Sequence, residues 1–255
     1  MNIVSGFADI SLLQLLLVAC VALFASVIGG LAGYGTGALM PLVLVPLIGA
    51  ESVVPIIAIS SIFTNLSRMT AYLRYADRRR AMIVLAAAAL TTVLGAYGYT
   101  RLTNAGAALV IGAMLISSVP LRRLLKRREV RLGDGGLAAS AVGYGVVVGG
   151  TVGAGVILLS LLMAAGLEGA AVIATDAMIS VGVSVLKISV FGLAGVVTAQ
   201  VLAFALLIGA IALPGAFLAR AFVERMPVHI HTAILDAVVI AGGVVMISSA
   251  LRSFY

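Results

Sequence analysis

The chain has 255 residues, of which 63% are hydrophobic and only 10% are charged, and its formal net charge is +7. Soluble domains are about 25% charged and less than half apolar, so this composition excludes an ordinary soluble fold. The basic residues stand in short patches between apolar runs, which is typical of membrane insertion and argues against nucleic-acid binding.

The apolar runs predict an all-α integral membrane protein. About 20 mostly apolar residues are needed to cross a bilayer, and continuous runs favour helices over barrel strands. Helices that end in glycine clusters are predicted at residues 11–31 and 137–150, and short apolar segments that cannot cross alone at residues 38–49 and 156–166. Full spans are predicted, in chain order, at residues 51–73, 81–100, 105–121, 169–191, 197–219 and 233–251.

The second half of the chain repeats the first. The glycine-rich run at residues 33–38 has a counterpart at residues 151–156, and each run precedes a short apolar segment, an acidic residue and a full span. A weak repeat with glycine-interrupted short helices in both halves is typical of secondary transporters. We therefore predict two transmembrane units, residues 1–131 with a basic linker and residues 132–255.

The basic loops predict how these units lie in the membrane. If each short segment returns to the side from which it came, residues 74–80, 122–131 and 220–225 all fall on one side, which the positive-inside rule makes cytoplasmic. Each unit then has three full transmembrane helices plus a glycine-broken re-entrant or hairpin helix. Because three crossings is an odd number, the two repeats have inverted topology, in a multi-pass protein of the inner membrane.

The glycine clusters are the first candidate for a binding site. A half-helix that starts near Ala38 or Val156 leaves its first amide groups unpaired, and these groups and the helix dipole favour an anion. Two such starts from inverted halves would meet near the membrane midplane. The alternative is that the glycines only allow close helix packing.

Two polar helix faces are the second candidate. One carries Ser61, Asn65, Arg68 and Tyr72, and the other carries Asp176, Ser180, Ser184 and Lys187. Polar groups are costly in hydrocarbon, so both faces are expected to point into the bundle or a wet cavity. The alternative for Arg68 and Lys187 is that their charged ends extend to the interface.

These patterns give a set of candidate residues. Asp176 and Asp236 are intramembrane acids and candidates for coupling, with a structural salt bridge as the alternative for Asp176. No catalytic constellation, nucleotide motif, metal cluster or cofactor motif is visible, and His229 and His231 fall in a predicted loop at residues 226–232. The predicted substrate-binding residues are Gly33, Gly35, Thr36, Gly37, Ala38, Ser60, Asn65, Arg68, Gly153, Ala154, Gly155, Ser180 and Lys187.

The glycine motifs also carry a family resemblance. Residues 29–41, GGLAGYGTGALMP, resemble the glycine-rich signature of the sulfite exporter TauE/SafE family, which is repeated in the second half, here as VGGTVGAGVILLSLL at residues 148–162. The triplets at 58–60 and 174–176 stand where that family has an Ala-Thr-Ser-like helix start. Thr36 replaces a central glycine, and Asp176 stands where a serine is usual.

The resemblance implies a function. It points to a secondary transporter, not an enzyme, that exports a small sulfur-containing anion such as sulfite or sulfoacetate from the bacterial cytoplasm by alternating access. The alternatives are an anion channel and a proton-coupled carrier of another small carboxylate. The expected partners are a small anionic substrate and membrane lipids, with no cofactor and no nucleic acid, and a homodimer is a possible assembly.

Overall fold

The computed structural model describes residues 4–8, 10–32, 35–127, 131–215, 218 and 228–252. Within these residues the chain forms α-helices and short 3-10 turns without a β-strand, which confirms the all-α prediction. The ten described helices are α1 (Leu12–Ala32), α2 (Gly35–Ile48), α3 (Val53–Tyr72), α4 (Arg78–Tyr99), α5 (Asn104–Arg127), α6 (Asp134–Gly150), α7 (Gly155–Ala164), α8 (Ala170–Leu193), α9 (Ala199–Ala212) and α10 (Val228–Arg252).

The exterior of the helix bundle is apolar. Leu13 is 78% exposed, Leu90 69% and Leu193 92%. Large apolar side chains in such positions suit contact with lipid, which confirms a multi-pass membrane protein. Four described stretches are long and apolar enough to cross a membrane: Val53–Tyr75, Arg78–Tyr99, Asn104–Leu121 and Ala170–Leu193.

Some predicted segments fall where the structure is not described. Residues 216–217 and 219 of the predicted span 197–219 lie outside the described residues, as does the predicted basic loop 220–225. The predicted basic loop 122–131 is partly wrong, because α5 continues as a helix to Arg127. The side chains of residues 122–130 lie outside the described part of the chain.

Contacts between helix ends define the two ends of the bundle. At one, which we call the basic end, the backbone N–H of Asp77 donates to Thr175 Oγ1 at 2.9 Å, and Arg79 pairs with Asp134. At the other, which we call the opposite end, Tyr99 donates its hydroxyl to the Ala50 carbonyl and packs edge-on against Phe191. Helix α3 therefore runs from the opposite end to the basic end, and α8 runs the other way.

The short helices α2 and α7 turn the chain back on itself. The N–H of Leu132, just before α6, donates to the carbonyl of Ala164 at the end of α7 at 2.7 Å, so this hairpin begins and ends at the basic end. Phe7, before α1, packs on Phe204 near the start of α9, at the opposite end where α2 also finishes. By these contacts each hairpin returns to the end from which it entered, while the predicted inverted repeat stays a prediction.

Several glycines of the second cluster serve helix packing. A Cβ built on Gly149 would lie 2.2 Å from the Thr92 carbonyl oxygen, and one on Gly95 2.3 Å from the Val146 carbonyl oxygen. These positions allow α4 and α6 to approach backbone to backbone. Because α6 is continuous to Gly150, the packing interpretation applies to Gly145 and Gly149, and the helix breaks only over residues 151–154.

Candidate functional site

A cavity of about 120 Å³ lies between the two hairpins and helices α3 and α8. It brings both predicted glycine breaks and both predicted polar faces to one place. The lining residues are Ser26, Thr36, Gly37, Ile57, Ala58, Ser61, Thr64, Asn65, Arg68, Tyr144, Val148, Thr151, Val152, Gly153, Ala154, Gly155, Ser180, Val183, Ser184, Lys187 and Ala212.

The tips of the hairpins touch each other at this cavity. A Cβ built on Gly37 would lie 3.0 Å from the backbone nitrogen of Gly153. Gly153 has a φ of +83°, a backbone angle that residues with a side chain rarely adopt. Thr36, Ala154 and Gly155 line the cavity beside them. Of the other predicted glycine-region residues, Gly35 begins α2, Ala38 is buried away from the lining, and Gly33 lies outside the described residues.

A helix N-terminus faces the cavity. Helix α7 begins at Gly155, and its N-cap, Ala154, supplies no side-chain hydrogen bond. The first amide groups of a helix have no partner within the helix, and they carry the positive end of its dipole. Both Ala154 and Gly155 line the cavity, so this end of α7 favours an anion there.

Helix α3 contributes a polar face that gains two residues and loses one relative to the predicted site residues. Asn65 and Arg68 line the cavity as predicted, together with Ser61 and Thr64, which were not among the predicted site residues. Ser60, which was, is 1% exposed and donates to the Ile57 carbonyl at 3.3 Å. Ser61 belongs to the same helical face as Asn65, and that spacing was the signal that identifies it.

Helix α8 supplies the facing side of the cavity. Ser180, Ser184 and Lys187 line it. Ser61 Oγ lies 2.8 Å from Ser184 Oγ, which joins α3 and α8 by a hydrogen bond. The two polar faces therefore meet across the cavity, and the hydroxyl groups of both helices are directed inward.

Arg68 forms a buried ion pair across the same two helices. Its Nη2 lies 3.2 Å from Asp176 Oδ2 and also donates to Asn65 Oδ1. Arg68 is 8% exposed and Asp176 1%. The guanidinium is thus held inside the bundle and does not reach the interface. Asp176 therefore forms the salt bridge that was the structural alternative for it, and its coupling role stays a prediction. The side chain of Asp236, the other predicted coupling residue, lies outside the described residues.

Lys187 is held in a different way. Its Nζ donates to the carbonyls of Val148 at 2.8 Å and Thr151 at 3.0 Å, at the C-terminal end of α6. A cation is favourable there, because unpaired carbonyls give a helix C-terminus a partial negative charge. Lys187 is 5% exposed, so it too stays inside the bundle, where it fixes the end of α6 beside the glycine break.

Two polar cavity residues of α6 and its end were not among the predicted site residues. Tyr144 and Thr151 are 3% exposed and line the cavity. Among the described residues, Thr151 Oγ1 has no hydrogen-bond partner. A buried hydroxyl without a partner is unusual, and a ligand oxygen in the cavity would satisfy it. Thr151 opens the glycine-rich run at residues 151–156, which was the available signal for it, whereas Tyr144 stands in no polar helical pattern and the sequence carried no signal for it.

The described residues offer no ready metal site. No three His, Cys, Asp or Glu side chains gather within them in a way that could hold an ion. His229 and His231 fall in the first turns of α10, so the predicted loop at residues 226–232 is wrong from Val228 onward. Their side chains lie outside the described part of the chain.

Comparison with known proteins identifies a family. A family model described as Sulfite exporter TauE/SafE matches residues 18–246, a range that includes α2 to α9 and every residue that lines the cavity. Neither a curated protein nor a solved structure matches the chain significantly.

Proposed function

The chain belongs to the sulfite exporter TauE/SafE family and is a membrane transporter, not an enzyme; from that premise we propose that it is a secondary carrier whose substrate binds between the two hairpin tips. The substrate is a small sulfur oxyanion, sulfite or an organosulfonate such as sulfoacetate. The bacterial inner membrane is its location. The possible homodimer stays a prediction.

The observation that carries this proposal is the composition of the cavity. Gly37 and Gly153 line the cavity together with the N-terminus of α7, Arg68 and Lys187. Unpaired backbone amides, the planar guanidinium of arginine and the ammonium of lysine are groups that bind oxyanions in proteins. The predicted substrate-binding residues other than Gly33, Gly35, Ala38 and Ser60 all line this cavity.

The helix contacts support a carrier with two inverted halves. We match the two halves helix by helix, α1 with α6, α2 with α7 and so on to α5 with α10. The contact of α4 with α6 then has its equivalent in the contact of α9 with α1. The contact of α4 with α8 likewise has its equivalent in the contact of α9 with α3. The pairs of α3 with α8 and of α5 with α10 correspond to themselves. With α3 and α8 antiparallel, this is the pattern expected of inverted repeats that rock about a central site to alternate access.

The charge distribution supports export. The basic end carries Arg74, Arg78, Arg79, Arg80 and Arg131, which the positive-inside rule places in the cytoplasm. Moving one negative charge out of a cell with a negative interior gains about 2.3 kcal/mol per 100 mV. Export of an anion can therefore run on the membrane potential alone.

Flux into proteoliposomes tests the proposal. Purified protein is reconstituted and the uptake of labelled sulfite and sulfoacetate is measured with an imposed potential, with protein-free liposomes as the control. A carrier gives saturable uptake and counterflow when unlabelled substrate is loaded inside. Saturation without counterflow, or no saturation, would favour the anion channel. Uptake of a carboxylate driven by a proton gradient, with no sulfur oxyanion transported, would favour the other alternative.

A further inference from the structure

A second cavity, of about 350 Å³, lies away from the hairpin tips, between α2, α5 and α10. Its volume falls within the range of about 300–1,000 Å³ that is usual for ligand pockets. Most of its wall is apolar, with Leu42, Val45, Pro46, Ala108, Val245 and Met246. No ionisable side chain is among the described residues that line it, so it does not suit a second oxyanion.

Close contacts below this cavity give it the shape of a wedge. A Cβ built on Gly112 of α5 would lie 3.0 Å from the Gly243 carbonyl oxygen of α10, and one built on Gly242 would meet Leu42 Cδ2 of α2. Helices that cross in contact separate on either side of the crossing. From Gly242 to Ala250, both of which line the cavity, α10 rises by about 12 Å. The wedge is therefore closed at the glycines and widens towards the opposite end.

The wedge opens at the lipid-facing surface. Val245 lines it and is 65% exposed, and the neighbouring Val244 is 52% exposed. An apolar opening in a membrane protein faces hydrocarbon, so an acyl chain is the group that enters from this side. A helix of a second copy fits less well, because a helix with its side chains is about 10–12 Å across and too wide for this volume.

Polar groups gather at the wide end of the wedge. Asn104 and Ser249 line it there, and both are exposed. Asn104 accepts the N–H of Ala50 with its side-chain oxygen at 2.5 Å, which leaves its NH₂ group as a donor. Arg252 follows Ser249 by three residues, so it lies on the same face of α10 and nearer the helix end, where it is exposed. An arginine and an amide donor are groups that bind phosphate.

We propose that this wedge binds one anionic phospholipid of the leaflet at the opposite end, with an acyl chain between the three helices and the phosphate beside Arg252 and Asn104. A zwitterionic lipid is a poorer occupant, because no carboxylate is among the described lining residues to pair with its ammonium group. The site shares no lining residue with the central cavity, so the inference does not depend on the substrate. The lipid would hold α2, one leg of the first hairpin, against α5 and α10.

The test uses the absence of tryptophan from the chain, which lets a single introduced tryptophan report on one place. Val245→Trp reports on the opening of the wedge, and Leu90→Trp, at a similarly exposed position on α4, is the matched control. Quenching by phosphatidylglycerol with brominated acyl chains is measured on the purified full chain in detergent. Val245→Trp is expected to be quenched saturably, with half-saturation at about tenfold less lipid than Leu90→Trp requires. Brominated phosphatidylcholine is expected to need about fivefold more lipid than phosphatidylglycerol at Val245→Trp.

Second substitutions in the Val245→Trp background test the two parts of the site. Ala108→Leu places a larger side chain in the wedge and is expected to abolish the saturable quenching. Arg252→Gln is expected to remove the preference for phosphatidylglycerol, and Arg78→Gln, at an exposed arginine of the basic end, is expected to keep it. Because Arg252 is exposed, its substitution leaves the fold intact and decides if Ala108→Leu does not fold.

Each contrary outcome overturns a stated part of the inference. Equal quenching of Val245→Trp and Leu90→Trp at every lipid ratio would overturn the site, because the lipid would then act only as solvent. A Val245→Trp that stays unquenched while Leu90→Trp is quenched would overturn it in favour of a second copy on this face. Equal quenching by the two lipids, or an unchanged preference in Arg252→Gln, would overturn the phosphate position. None of these outcomes concerns sulfite flux, so the proposed function would stand.

Discussion

Gly37 and Gly153 lie against each other at the tips of two hairpins that enter the bundle from opposite ends. A Cβ on Gly37 would lie 3.0 Å from the Gly153 nitrogen and 3.3 Å from its Cα. Backbone atoms cannot rotate away as a side chain can, so any group added here separates the tips. The relationship joins the two glycine motifs, far apart in the sequence, into one wall of the cavity.

The first prediction follows from this contact. Gly37→Ala is expected to reduce sulfite flux by about tenfold, because a displacement of a few tenths of an ångström moves the amides of α7 relative to Arg68. Gly98→Ala is the control, since a Cβ there meets no atom within 4 Å. Flux in reconstituted liposomes measures both. Wild-type flux in Gly37→Ala would show that the tips need not touch.

The second prediction concerns the packing of α4 on α6. Gly149→Ala is expected to lower the free energy of unfolding by about 1–3 kcal/mol, because its Cβ would lie 2.2 Å from the Thr92 carbonyl oxygen. Gly143, in the same helix, has nothing within 4 Å, so Gly143→Ala is expected to be neutral or to stabilise. Thermal unfolding in detergent compares them. Equal melting temperatures would contradict the close approach of the two backbones.

The third prediction concerns the buried ion pair. Arg68→Gln alone is expected to destabilise the protein by about 3–5 kcal/mol, because it leaves the carboxylate of Asp176 buried without a partner. Adding Asp176→Asn is expected to restore part of this loss. The exposed pair of Arg79 and Asp134 is the control, with an expected coupling below about 1 kcal/mol. Double-mutant cycles by unfolding measure both pairs, and equal coupling would refute the contrast between burial and exposure.

The fourth prediction concerns Lys187. Lys187→Met keeps the side-chain length but removes the donors to Val148 and Thr151, so we expect a loss of about 1.5–3 kcal/mol in stability. Anion affinity is expected to fall by about tenfold as well, because the cavity loses a charge. Arg101→Met, at an exposed cation on the opposite end, is the control. Undiminished affinity in Lys187→Met would show that this ammonium serves only the end of α6.

The fifth prediction tests the orientation in the membrane. In a Cys20→Ser background, single cysteines at Arg78 and Arg131, at the basic end, are expected to react with an impermeant maleimide only from the cytoplasm. Cysteines at Thr103 and Ala194, at the opposite end, are expected to react only from outside. All four positions are exposed. Labelling of intact cells and of inverted vesicles shows from which side of the membrane each cysteine reacts. Labelling of the cysteines at Thr103 and Ala194 from different sides would contradict the inverted arrangement.

The sequence by itself determined the class of protein and the outline of its site. Composition and run length specify membrane helices, because lipid offers no partner to backbone groups. The two glycine-rich runs before short segments marked α2 and α7, since a 10-residue helix such as α7 cannot span the hydrocarbon. Helical spacing placed Asn65, Arg68, Ser180 and Lys187 on inward faces, where the structure has them.

Only the tertiary structure decided which groups meet. Arg68 pairs with Asp176 on a distant helix and Lys187 bonds to the carbonyls that end α6, and no local pattern encodes these two pairings. Ser61, and not Ser60, faces the cavity, because successive helical residues differ by about 100° in direction and the phase is set by packing on α8. Tertiary packing also decided the different roles of two glycines: Gly149 lets α4 and α6 pack closely, whereas Gly153 lies in the break between α6 and α7. A glycine residue provides only conformational freedom, and the neighbouring backbone determines whether that freedom allows close packing or a helix break.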